Sequence, residues 1–419
     1  MKLKSRAFLP SHFRLLNGIG QLLKAAKLPI AQFEEDAVCK AAMKHTGLTD
    51  FGDPYYREGL LQLLDSAEND ANLHAIGRFS IHYWIVNNLA NRLLLTEARK
   101  RSPETFETRL IPPIIIIGLP RSGSTFLHRM LAVDPANRAI PMWELMRPLP
   151  ESAAADGKPE SRRKSVKLEI NFRRTLAPEL YSKHYISADS PEECTWMLGL
   201  TFVTLAYWIA APVYGYLDWY IVQDRLKKYH EYRLLLQVLQ SVDPAHRLTL
   251  KAPAHTDALE ELLQTVPNAL LIQTHRDPVT VCNSINSLYY TTHRSVTQDL
   301  DVSRMAEASM RHLESMVVRN LAARDAHPGV VYDVYYERLV DDPIGTVRGI
   351  YDHFGLNWSD SFQERLQAYV REQPRKKHGK HSYSSADFGQ TDAAIAKRFA
   401  AYSERFGFTK EYARRKLQS

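Results

Sequence analysis

IIIIGLPRSGSTFLHRML, residues 114–131, sets a turn of small residues between a buried strand and a helix. Ile114 to Ile117 are β-branched and continuously apolar, as a central parallel strand covered on both faces requires. Gly118 lets the strand end turn sharply, and Gly123 removes a side chain where an anion would approach. Successive backbone N–H groups from Arg121 to Thr125 can then point inward at the head of a helix running from about Ser124 to Val133. Arg121, Ser122, Ser124 and Thr125 add side-chain donors.

Working outward, further strands are expected at Arg247–Lys251, Ala269–Thr274 and Gly329–Tyr335. Helices are expected after them at Thr256–Val266, Val279–Tyr289 and Asp342–Phe354. This βαβ rhythm predicts an α/β fold: a three-layer core around a central parallel sheet, with ligands at the carboxyl ends of the strands. Upstream, FEEDAVCKAAMKH, YREGLLQLLDSAE and ANLHAIGRFSIHYWIVNNLANRLLLTEARK repeat apolar positions at helical spacing. They predict a helical N-terminal cap over 1–105, with the core over 106–419 and acceptor-site helices inserted at about 155–245.

At 419 residues the chain can bury a large core. Its net charge of +7 favours anionic ligands only weakly, because 47 acidic residues are interspersed. No basic stripe marks a nucleic-acid reader, so no nucleic-acid partner is expected. The three cysteines, Cys39, Cys194 and Cys282, make no metal-ligand or CxxC spacing and fit reduced thiols in a cytoplasmic protein. The basic N-terminus lacks a continuous apolar core and a cleavage site, so secretion is not expected. Cys194 to Leu217 carries no charged residue and approaches the length of a membrane span, but Pro212 and Gly215 interrupt it. A buried, pocket-lining helix pair is the first reading. Peripheral membrane contact is the second.

Gly118 and Gly123, followed by Ser124-Thr125, nearly reproduce the GxxxxGK[ST] loop of a nucleoside triphosphatase or small-molecule kinase, the alternative reading. Ser124 stands where such a loop has the lysine that holds the outer phosphates. Three segments together point elsewhere: PRSGSTF (120–126), HRDPVTVCNS (275–284) and RKKHGKHSYSSADFG (375–389). Over roughly Ile114 to Phe388 the chain resembles the sulfotransferases that use 3′-phosphoadenosine 5′-phosphosulfate (PAPS). It is most similar to bacterial members, and through them to tyrosylprotein sulfotransferases.

The resemblance implies PAPS as donor, adenosine 3′,5′-bisphosphate (PAP) as product and no metal. It implies that Arg121, Ser122, Gly123, Ser124 and Thr125 surround the 5′-phosphosulfate, with Arg121 where many members have lysine. Arg276 and Ser284 would hold the 3′-phosphate. The late basic loop, Arg375, Lys377, His378, Gly379 and Lys380 among it, would fold over the same end of the nucleotide. Tyrosylprotein-like members place a glutamate base about twenty residues past the loop, which implies Glu144 in IPMWELMRP. Lys251 in TLKAPAH resembles a position near the bridging oxygen. His255 is an alternative base, and Glu192 and Glu193 in DSPEECTW are further carboxylates within reach of an acceptor. The aromatic and apolar content of Trp196 to Tyr220 predicts a hydrophobic or phenolic small-molecule acceptor rather than a free sugar.

Overall fold

The computed structural model describes residue 3 and residues 9–25, 31–149, 159–183, 185–372 and 383–408. Five parallel strands form one sheet: β1 (Ile114–Gly118), β2 (Asn137–Ala139), β3 (Arg247–Lys251), β4 (Leu270–His275) and β5 (Val331–Tyr335), in the order β2-β3-β1-β4-β5. Strand periodicity explains why β1 is central. Ile115 and Ile117 pack on one face with Leu235, Leu248 and Leu250, while Ile114 and Ile116 pack on the other with Leu127, Met130 and Ile272. An alternating polar position would leave one layer without a core.

β3, β4 and β5 lie where apolar runs predict them, within two residues. β2 is absent from the expectations, because NRA is three half-buried residues with no apolar pattern. It becomes a strand only through its pairing with Arg247–Thr249 and through Asn137, whose amide donates to Leu131 O and Tyr351 Oη. The helix expected at Thr256–Val266 is instead a 3-10 turn, Pro253–Ala258, followed by an α-helix at Leu259–Thr265. The turn serves β1: the Thr256 hydroxyl accepts from Gly118 N (2.7 Å) and donates to Gly118 O (3.0 Å).

Before the sheet stand helices Glu35–Thr46, Tyr56–Asn69 and Ala75–Arg101. One hydrophobic cluster runs from Phe33 and Leu93 through Phe202–Tyr220 and Val279–Val317 to Phe408, so these helices share a core with the elements behind β4. The apolar segment breaks into the 3-10 helix Cys194–Thr201 and the short helices Ala206–Ala210 and Tyr214–Val222. Trp208, Tyr216 and Tyr220 are fully buried within that core. No helix among the described residues is long and apolar enough to cross a membrane.

Burial has a titration consequence. The core holds His128 down to about 4, and His255 and His293 down to about 3, chiefly by desolvation of the charged ring. The unfolded chain takes up these protons near the ordinary 6.5, so stability is full above that value. It should fall as pH drops from 6.5 toward 3–4, by about 1.4 kcal/mol per pH unit for each such histidine. Thermal melts from pH 7.5 to 4.5 check this, and a melting temperature flat across that range would contradict it.

Candidate active site

At the carboxyl end of β1 the chain turns through backbone angles that only particular residues tolerate. Gly118 has φ +126°, and a Cβ there would lie 2.3 Å from Thr274 O. Gly123 has φ +92°, and a Cβ would press on the Tyr336 ring at 3.0 Å. Between them Arg121 adopts φ +66°, a left-handed conformation costing a non-glycine residue about 1 kcal/mol. Ser122 is buried and pins the turn, donating to Leu119 O with its hydroxyl 2.6 Å from Thr274 Oγ1. The helix Ser124–Leu131 follows, and the first amide to find a helical acceptor is Phe126 N, on Gly123 O at 3.0 Å. The amides of Ser124 and Thr125 are first-turn donors, which suit an anion.

The second strand end builds an adjoining site. Asp277 caps the helix Pro278–Arg294 by accepting from Thr280 N at 2.9 Å, and Pro278 supplies the fixed φ of its first turn. Thr280, Asn283, Ser284 and Ser287 recur at helical spacing and all line one cavity. Arg276, just before this helix, lies over the Tyr336 ring (3.9 Å to the centroid) and donates to Arg121 O at 2.9 Å. Arg121 Nε in turn donates to Ser284 Oγ at 3.1 Å. The two guanidinium groups therefore belong to one network. Burial and the charge of Arg276 lower the Arg121 pKa, and a bound anion would relieve that repulsion.

The SYSSADFG close docks on the same helix. Ser385 Oγ lies 2.9 Å from Asn283 Oδ1 and 2.5 Å from Asp392 Oδ1, and Tyr383 and Asp392 line the cavity. Arg375, Lys377, His378, Gly379 and Lys380 lie outside the described residues.

The cavity encloses about 900 Å³. Its polar end carries Arg121, Gly123 to Thr125, Arg276 and Ser284; its other walls carry Met142, Met146, Ile170, Trp196, Leu205 and Ile209. Glu192 and Glu193 line it as well. Lys251 is buried at the end of β3, in register with Ile116 of β1, and its Nζ donates to Glu193 Oε1 at 2.8 Å.

Four residues singled out in the sequence do not line the cavity: Ser122, which pins the turn from within, Lys251, which is buried behind Glu193, and Glu144 and His255. Glu144 does not line the cavity; it is buried and accepts from Arg138 Nη2 at 2.6 Å. The reason is helical phase: Met142 and Met146 share the cavity face of the helix Met142–Met146, and Glu144 falls about 200° from Met142. His255 is fully buried, with Nδ1 2.6 Å from Tyr229 Oη and Nε2 3.1 Å from Cys194 Sγ, away from the lining. The carboxylate that does line the cavity with a lysine attached is Glu193. Its signal was present in DSPEECTW, but only the contact with Lys251 distinguishes it from its neighbours.

Glu144→Gln should leave turnover within about twofold of wild type. It should lower stability by about 1–3 kcal/mol, because the half-buried Arg138 then loses the charge of its buried partner. Paired steady-state kinetics and thermal melts check this; a large loss of turnover at unchanged stability would return the base to Glu144.

A model of the sulfotransferase family matches residues 112–360. The omega-hydroxy-beta-dihydromenaquinone-9 sulfotransferases Stf3 of Mycobacterium bovis and Mycobacterium tuberculosis are each 28% identical over 275 residues, 62% of this chain. The match takes in 66% of their own length, so the chain spans just under two thirds of these curated relatives. Among solved structures, sulfotransferase STF1 of M. tuberculosis H37Rv superposes with TM-score 0.73 at 31% identity, covering 89% of this chain and all of that one. Sulfotransferase STF9 of Mycobacterium avium superposes with TM-score 0.79 at 26% identity, covering 88% and 96%.

Proposed function

The chain belongs to the sulfotransferase family, and from that premise we propose that it moves the sulfuryl group of PAPS to a hydroxyl of an apolar small molecule. The observation that carries this reading is the shape of one cavity. Two arginine-centred anion sites share its polar end, and a lysine-held carboxylate opens on the same space as its apolar walls. A nucleotide bearing phosphate at both its 3′ and 5′ positions needs two such sites. The linked, half-buried pair of guanidinium groups fits that demand, since each anion bound lowers their mutual repulsion.

Arg121 and the Ser122–Thr125 turn would bind the 5′-phosphosulfate; Arg276 and Ser284 would bind the 3′-phosphate. Glu193 would take the acceptor's hydroxyl proton as the acceptor oxygen bonds to sulfur. The bond from sulfur to the bridging phosphate oxygen breaks, its electron pair leaves with PAP, and Arg121 stabilises that charge directly while Lys251 does so from behind Glu193. No covalent enzyme intermediate and no metal are required, so positioning and electrostatics carry the catalysis.

The curated relatives are named for a hydroxylated menaquinone acceptor. An acceptor of that general kind, apolar with one hydroxyl, suits walls made by Met142, Ile170, Trp196 and Ile209. The cysteines are unpaired, which suits a reducing cytoplasm supplied with PAPS. A radiolabelled-PAPS screen against long-chain alcohols, phenols and hexoses tests the proposal. Label should appear on alcohols or phenols and not on hexoses; failure of every acceptor while PAP still binds would overturn it.

A further inference from the structure

The first 33 residues hold six lysines and arginines, Lys2, Lys4, Arg6, Arg14, Lys24 and Lys27, and no aspartate or glutamate, although the chain carries 47 acidic residues. Within this stretch Ser11–Ala25 is a helix. Its inner side is fixed at Gly20, where a Cβ would come within 2.4 Å of Ala75 Cβ, and at Phe13, whose ring meets Phe172 edge-on at 5.6 Å. At 100° per residue, Leu15, Ile19 and Leu22 recur as i, i+4 and i+7 on the side away from those contacts. They are 73%, 47% and 73% exposed.

The helix Ala75–Arg101, on which Gly20 packs, adds apolar exposure of its own. Phe79, one turn beyond Ala75, is 55% exposed and stacks on Tyr83 with ring centroids 6.4 Å apart. This surface borders the cavity. Leu9, Ile76 and Leu176 form a small cluster under the helix, and Leu176 lines the cavity together with Ser80 and Ile81, the residues next to Phe79. Tyr185, also in the lining, is 55% exposed, so the cavity reaches the surface there, with Arg129 and Arg173 in the same lining.

We propose that this face seats the protein on an anionic lipid bilayer. The helix Ser11–Ala25 lies in the interface plane with Leu15, Ile19 and Leu22 among the acyl chains, and the acceptor enters the cavity from the bilayer. The inference deepens the apolar-acceptor reading above and rests on it for the acceptor's route. An apolar stripe within a stretch whose charged residues are all cations is the chemistry of an interfacial helix, and each basic residue near an anionic surface strengthens binding several-fold. A second copy of the chain is the weaker occupant, because pairing through this face would bring two all-basic segments together.

The test is co-sedimentation of the full chain with phosphatidylcholine vesicles, with and without phosphatidylglycerol. Wild type should bind the anionic vesicles at least about tenfold more tightly. The Leu15→Glu/Ile19→Glu/Leu22→Glu variant should lose that binding by at least about tenfold. Its turnover of a short water-soluble acceptor should stay unchanged, while its transfer to a vesicle-embedded acceptor falls. Should the triple variant fold poorly, Arg14→Glu/Lys24→Glu should remove the phosphatidylglycerol preference alone. Equal vesicle binding by wild type and folded variants would overturn the inference, as would a dimer that the triple variant dissolves in a chain that ignores vesicles. Failure of wild type to sulfate any soluble acceptor would instead strike the proposed reaction, leaving the vesicle result to stand by itself.

Discussion

Glu193→Gln should lower kcat for sulfuryl transfer by about 10²- to 10⁴-fold while leaving the affinity for PAP within about threefold of wild type. The amide keeps the size of the carboxylate and can still accept from Lys251 Nζ, now 2.8 Å from Oε1, so the end of β3 has little reason to move. What it loses is the ability to take a proton. A group that only shaped the acceptor pocket would raise KM with kcat preserved, so the split between the two parameters separates catalysis from positioning. Full turnover in the variant would remove Glu193 from the reaction. Lys251→Met provides the counterpart: if the ammonium stabilises the departing phosphate, kcat falls here too, and PAP binding weakens.

Gly118→Ala should give the largest folding defect of any alanine substitution in the anion loop. Its Cβ would stand 2.3 Å from Thr274 O and 2.8 Å from Thr274 Oγ1, both on the neighbouring strand that pairs with Gly118, and φ +126° is itself poor for an L residue. Neither neighbour is a flexible side-chain end, so β1 and β4 must separate or the turn must rebuild. A cost of about 3 kcal/mol or more follows, read as insoluble expression or a melting temperature lower by roughly 5 °C or more. Gly47→Ala is the control. Gly47 has φ +72°, but its Cβ would meet nothing within 4 Å, so only the conformational cost of about 1 kcal/mol remains. Equal stability losses in the two variants would show that crowding against Thr274 is not what selects glycine at 118.

What the sequence disclosed follows from which features are local. Four apolar residues in a row, Ile114 to Ile117, announce a strand with both faces buried, and the structure divides them between two cores. The glycine turn and the cap-and-proline start of the helix at Pro278 are equally local, so Arg121 and Arg276 are legible near strand ends, and Ser284 two turns along the helix, in the sequence itself. Contacts made at a distance were hidden. Asn137–Ala139 becomes a strand only because Arg247–Thr249 pairs with it, and Thr256 matters only because its hydroxyl closes on Gly118 from 138 residues away. The choice among Glu144, Glu192 and Glu193 shows the same division. The resemblance to tyrosylprotein sulfotransferases favoured Glu144, yet a two-residue step on a helix turns it from Met142 toward Arg138. Glu193 is marked by Lys251, 58 residues later.

Calorimetric titration of wild type, Arg121→Ala and Arg276→Ala with adenosine 3′,5′-bisphosphate, adenosine 5′-monophosphate, and ATP with Mg²⁺ probes the paired-arginine site most directly. Wild type should prefer the bisphosphate, and each substitution should weaken bisphosphate binding by about ten- to hundredfold. Only Arg276→Ala should erase the preference over the monophosphate. Equal affinity of wild type for mono- and bisphosphate, tighter binding of ATP with Mg²⁺, or an Arg276→Ala variant that keeps the preference would contradict the claim that these two arginines hold opposite ends of one nucleotide.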